Sequence, residues 1–248
     1  MTPSQAVIWH DVECAEYVAD LPLWRGLAEE AGGPVLDVGA GTGRVALDLA
    51  RSGHEVTALD RDGELLAELR RRAGDLPVDV VEADARDFHL GRRFALVVVP
   101  MQTIQILGGP QGRASFLRCA HEHLEPGGLL VASVTAEPLA FEPHERVILP
   151  PSDLAEHEGW VYASQPIALR GESGATVIER LRVAFSPRGE RREERNEVRL
   201  DRLDPATLAE DARRFGFVAL APRSIPETSD HVGSAVAVLQ ARSGIAPE

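Results

Sequence analysis

Residues 35–50, V-L-D-V-G-A-G-T-G-R-V-A-L-D-L-A, constrain what this chain can fold into more than any other stretch. Val35, Leu36, Asp37 and Val38 form a short apolar run broken by one acid, the pattern of a parallel strand covered on both faces. Gly39, Gly41 and Gly43 follow at alternate positions, and apolar residues then recur at helical spacing. A strand, a glycine turn and a helix in that order bring free amide N–H groups, and backbone without Cβ atoms, to the edge of a sheet where a ligand can come close. The turn is therefore expected to be a cofactor site.

Spacing narrows the cofactor. A P-loop ends in Gly-Lys-Ser/Thr, whereas Gly43 is followed by Arg44 and Val45; a dinucleotide turn wants its third glycine where Arg44 stands. Two further acids close strand-like runs downstream, Asp60 before Arg61 and Asp84 before Ala85, and Leu124-Glu125-Pro126-Gly127-Gly128 makes a turn. In this order and spacing the motifs resemble those of class I S-adenosylmethionine-dependent methyltransferases. The resemblance implies S-adenosylmethionine as cofactor, with Asp37 orienting the turn near its amino group and Gly39, Ala40, Gly41 and Gly43 passing beneath its methionine and ribose. It also implies Asp60, with Arg61 beside it, on the ribose hydroxyls, and Asp84 and Ala85 on the adenine. Pro100 and Met101, after the fourth strand, then lie near the reacting methyl. The sequence Val99-Pro100-Met101-Gln102 departs from the Asn/Asp-Pro-Pro-aromatic motif of DNA and protein amide methyltransferases, so that subclass is not expected. Gln102 and Gln105 remain as polar contacts for substrate or helix.

The implied fold is α/β: a doubly wound, seven-stranded Rossmann-like methyltransferase sheet with its last strand antiparallel, in a single domain spanning residues 1–248. Helical residues 7–31 break at Asp20-Leu21-Pro22, where Asp20 can cap the second piece. Strands are expected at 35–38, 54–59, 77–81, 94–99, 129–134, 218–222 and 232–241. Residues 135–204 depart from this plan. Three strand-like runs, 160–170, 175–185 and 190–200, are separated by glycine turns and predict an antiparallel β-lid insertion. The lid resembles that of small-molecule methyltransferases, including amino-sugar N-methyltransferases. In the same family an N-terminal segment folds over the cofactor, so Trp9, His10 and Tyr17 could line the site or pack as core.

Composition excludes several chemistries. The net charge of −13 opposes nucleic acid as a partner. All 26 basic residues are arginine, which removes Schiff-base and P-loop lysine chemistry. Cys14 and Cys119 are too few for a disulfide framework or a cysteine zinc site, and no metal site is expected. With no apolar window long enough to span a bilayer, the expectation is a soluble, cytoplasmic monomer or homodimer acting on a small molecule. The activity implied is methyl transfer to a nucleophilic N or O. A base for such an acceptor is sought among His144, His231, Tyr162 and Glu137. Two other readings remain at this stage: a cofactor-binding fold that catalyses a rearrangement or cyclisation, and a non-catalytic binding subunit.

Overall fold

Apolar runs ending in acids or glycines set the order of elements. The computed structural model describes residues 3–135, 152–228 and 233–242. Helices α1 (Gln5–Cys14) and α2 (Leu21–Ala31) precede β1 (Val35–Val38), α3 (Arg44–Arg51), β2 (Val56–Asp60), α4 (Gly63–Ala73), β3 (Val78–Glu82) and β4 (Phe94–Val99). A 3-10 turn (Thr103–Ile106) leads into α5 (Gly109–His123) and β5 (Leu124–Thr135). Strands β6 (Asp153–His157), β7 (Trp160–Glu172), β8 (Ala175–Phe185) and β9 (Arg191–Asp201) come next. The chain closes with α6 (Pro205–Arg213), β10 (Phe217–Ala219), β11 (Arg223–Ile225) and β12 (Ser234–Ala241).

The main sheet runs β10-β12-β5-β4-β1-β2-β3. Strands β1 to β5 pair in parallel, and β12 lies antiparallel to β5. β1 is flanked by β2 and β4, so the winding reverses there and a crevice opens beyond the carboxyl ends of these strands. The unbroken apolar runs follow from coverage on both faces. Leu36, Val97 and Val99 meet Phe116 and Leu117 on one side; Val35, Leu96 and Val98 meet Leu27, Val45, Leu49 and Leu66 on the other.

Four local expectations are corrected. Asp20 makes no cap bond on α2; it is fully buried and accepts from the Arg44 guanidinium at 2.5 and 2.8 Å and from the Trp24 indole at 2.9 Å. Two charge-assisted bonds outweigh one cap. The expected strand at 218–222 is shorter, β10 ending at Ala219, and a further strand, β11, follows Pro222; both are antiparallel to β12. This adds an eighth strand to the expected seven. β5 starts at Leu124 rather than 129, because the Pro-Gly-Gly turn is absorbed as an irregularity in its pairing with β4. The second sheet has four antiparallel strands, not three; β6 contributes Asp-Leu-Ala-Glu-His, which lacks the β-branched alternation that marks a strand.

Helix α1 lies between the two sheets. Trp9 meets Tyr162 edge-on at 5.4 Å, and Glu13 accepts from Arg182 at 2.8 and 2.9 Å and from Ser164 at 2.6 Å. Burial opposes ionisation of Glu13, but the Arg182 and Ser164 contacts keep its carboxyl below the usual range.

Candidate active-site cleft

The strand ends converge on a cleft of about 420 Å³. Asp37 from β1, with Gly39 and Ala40 behind it, lines one stretch. Asp60 and Arg61 after β2, and Asp84 and Ala85 after β3, line the next, and Pro100 and Met101 close the far lip. Gly41 and Gly43 are not in the lining. Gly43 turns against Leu47 and Leu69, while the Gly41 amide donates to Asp60 Oδ2 at 2.9 Å. Their part is to shape the turn. Gly41 has φ +55°, and a Cβ there would lie 2.5 Å from His10 Cε1. Gly41→Ala is expected to destabilise the fold by about 1–2 kcal/mol from backbone strain alone, measured as a lower denaturant midpoint at unchanged slope.

The three acids sit in different environments. Asp37 is 1% exposed, and neither carboxylate oxygen has a hydrogen-bond partner among the described residues. Burial pushes its carboxyl up to about 7, against the pull of Arg44. Asp60 accepts from the amides of Gly41 and Asp62 (3.0 Å) and keeps lone pairs free toward the cleft. Asp62, not Asp60, caps α4. Asp84 is gripped by the Arg86 guanidinium and backbone amide, which hold it down at about 2.

At the far lip, Met101 (φ 48°) and Gln102 (φ 59°) both adopt left-handed backbone. Such residues each cost about 1–3 kcal/mol and persist where the surroundings over-determine them. Here Gln102 donates to Ser234 Oγ at 3.1 Å, and Thr103 Oγ1 donates to the Pro100 carbonyl at 2.8 Å. Gln105 donates to the Asp201 carbonyl and accepts from the Thr135 amide. Both glutamines thus make ties within the protein.

The base candidates fare differently. His144, His231 and Glu137 lie outside the described residues. Tyr162 is away from the cleft lining, buried with Ile8, Trp9, Val12 and Ala184, and burial raises its phenol. An amphipathic aromatic on a strand facing α1 serves the core. Of the N-terminal aromatics, His10 lines the cleft, while Trp9 and Tyr17 join apolar clusters. Sequence reasoning gave no place to Arg44, Thr103, Arg86 or Val198 on β9, which also line it. Arg44 was visible only as a misfit in a dinucleotide motif.

Residues 35–128 match the family model of a methyltransferase domain. The chain is 32% identical over 111 residues to a cypemycin N-terminal methyltransferase of Streptomyces sp, covering 45% of each. It is 35% identical over 109 residues to a dTDP-3-amino-3,6-dideoxy-alpha-D-glucopyranose N,N-dimethyltransferase of Streptomyces fradiae, covering 44% of this chain and 42% of that one. These matches span less than half the length of the curated relatives. In fold, the chain resembles the sugar N-methyltransferase KedS8 from Streptoalloteichus sp ATCC 53650 with a TM-score of 0.75 and 19% identity, over 98% of this chain and 95% of that one.

Proposed function

We propose, from the premise that this chain carries a class I S-adenosylmethionine-dependent methyltransferase domain, that it methylates the amino nitrogen of a small amino sugar with S-adenosylmethionine as donor. The observation that carries the reading is Asp37, a buried carboxylate lining the cleft with two unpartnered oxygens. A carboxylate left bare in the interior is costly, and a ligand ammonium would supply the missing partner. Asp60 fits a vicinal diol, since two backbone amides fix it and its remaining lone pairs face the cleft. Gly39 lets the turn close against Thr103, because a Cβ there would sit 2.6 Å from Thr103 Cγ2.

The donor, when bound, supplies a methyl already activated on a sulfonium. The protein's residues then have to orient the partners and exclude water. Asp37 and Asp60 would fix the two ends of the donor, Asp84 would accept from the adenine amino group, and the strained lip at Met101 would bound the transfer site. Val198 brings the second sheet to the cleft's edge, a cover that suits a metabolite better than a folded macromolecule. Nitrogen is favoured over oxygen because the relatives described above are all named for N-methylation.

Incubation with methyl-labelled donor tests the reading. Label is expected in dTDP-3-amino-3,6-dideoxy-α-D-glucopyranose and absent from the same sugar with a hydroxyl in place of the amine. Label in the hydroxyl sugar alone would overturn the nitrogen assignment. Asp60→Ala is expected to weaken donor binding roughly tenfold to a hundredfold, for the loss of charge-assisted bonds worth about 1.5–3 kcal/mol. Calorimetry returning the wild-type affinity with the fold intact would remove Asp60 from the donor site.

A further inference from the structure

We infer that His10 takes the proton from the acceptor amine, its ring held by Thr42 and Asp11 in the tautomer that leaves Nε2 free. This inference rests on the amine methylation proposed above.

The hydrogen-bond chain dictates the tautomer. Thr42 Oγ1 has one proton and donates it to Asp11 Oδ1 at 2.7 Å. Asp11 is a carboxylate: burial opposes this, but His10, Arg72 and Thr42 around it hold its carboxyl well below the usual range. Arg72 grips both Asp11 oxygens and is itself held by Glu68 at 2.7 Å. With its proton committed, Thr42 Oγ1 can only accept from His10 Nδ1, 3.3 Å away. A neutral ring protonated at Nδ1 carries its lone pair on Nε2. Among the described residues Nε2 has no hydrogen-bond partner. The ring lines the cleft with 24% of the side chain exposed, and its Nε2–Cε1 edge rests over Gly41 at the centre of the cofactor turn.

The charged and titratable neighbours are engaged elsewhere, and this nitrogen rests against Gly41 without a hydrogen bond among the described residues. On α1, Asp11 lies 3.8 Å from Nδ1, while the Cys14 thiol, one turn on, is pushed up to about 12 by burial. On β1, Asp37 faces the same cleft and is assigned to the donor's ammonium. Asp60, after β2, is engaged by two amides, Arg44 on α3 by Asp20, and Arg72 on α4 by Asp11 and Glu68. From the second sheet, Arg182 is held by Glu13. In the transfer the amine lone pair forms the N–C bond as the donor's C–S bond breaks, with that electron pair staying on sulfur. One N–H proton passes to Nε2 and leaves to water as the products depart.

Two measurements decide the matter. Nitrogen-15 NMR of the neutral ring is expected to find Nδ1 protonated and Nε2 bare in wild type, with that preference lost in Thr42→Val. A ring protonated at Nε2 in wild type overturns the relay whatever the enzyme's activity. In His10→Ala and His10→Gln, S-adenosylmethionine affinity is expected to stay within about threefold while kcat/KM for dTDP-3-amino-3,6-dideoxy-α-D-glucopyranose falls about a hundredfold. Added imidazole should recover about tenfold of that loss in His10→Ala and none in His10→Gln. Undiminished turnover, or a loss confined to donor affinity, assigns His10 elsewhere. Failure of the wild type to methylate any amine would instead sink the proposed function, and the NMR result would still decide the relay.

Discussion

Replacing Asp37 by Asn is expected to weaken S-adenosylmethionine binding while making the ligand-free protein more stable. On the proposed assignment the carboxylate is the buried partner of the donor's ammonium, and breaking such a pair costs about 3–5 kcal/mol, or roughly a hundredfold to a thousandfold in affinity. The stability change has the opposite sign. A carboxyl raised from 3.8 to about 7 keeps its proton in the folded chain where the unfolded chain has lost it. Its contribution to stability therefore falls as pH climbs from about 4 to about 7, and stays at that low level above 7. Each tenfold difference in proton affinity between the folded and unfolded chains corresponds to about 1.4 kcal/mol, so at pH 8 the neutral amide relieves a burden on the order of a few kcal/mol. A rise in Tm on the order of 10 °C is expected for a chain of this size, shrinking toward zero at pH 4. Donor binding below pH 7 should also release a proton in wild type and not in the variant. Unchanged affinity, or a Tm that falls at pH 8, would remove Asp37 from the donor site.

Excising the second sheet, with residues 153–201 replaced by a Gly/Ser linker, is expected to abolish turnover and spare most of the donor affinity. Of the cleft's lining residues, this sheet supplies Val198 alone, so Asp37, Asp60 and Asp84, the proposed partners of the donor, remain. Helix α1 would lose Glu13's bonds to Arg182 and Ser164 but keep the Asp11 bonds to Thr42 and Arg72. Loss of that bracing should weaken donor binding by about tenfold at most, a few charge-assisted bonds being offset by solvation. Calorimetry and a methyl-transfer assay on the same protein check both halves. Efficient transfer by the excised form would show that the acceptor site lies elsewhere, and loss of all donor binding in a folded variant would show that the sheet belongs to the donor site.

The convergence of these acids on one cleft was legible in the chain because their placement is local. Asp37 interrupts the end of one apolar strand, Asp60 and Asp84 end or closely follow the next two, and the glycines after Asp37 announce a turn, so sequence order alone brings them to one sheet edge. What was not legible depends on contacts made across the fold. The Arg44–Asp20 pair, the Thr42–Asp11–Arg72 chain and the Arg182–Glu13 pair join residues far apart in sequence; the start of α2 against α3 decides the first, and the packing of α1 the other two. Asp20 looked like a helix cap because a cap needs only local sequence. β6, β10 and β11 are short and lack alternation, so their pairing partners define them more than their residues do. The base candidates were chosen by residue type in loops and strands without a periodic signal, whereas His10 gains its standing from a hydroxyl thirty-two residues away.

The central claim is that this cleft carries a methyl group from sulfur to a sugar nitrogen. Carbon-13 NMR of a single turnover, with donor labelled at its methyl carbon and dTDP-3-amino-3,6-dideoxy-α-D-glucopyranose as acceptor, follows that carbon directly. The signal is expected to leave the sulfonium position and reappear as an N-methyl, with S-adenosylhomocysteine formed in equal amount. A signal that remains on sulfur with donor and acceptor both bound, or that reappears on oxygen, would contradict it.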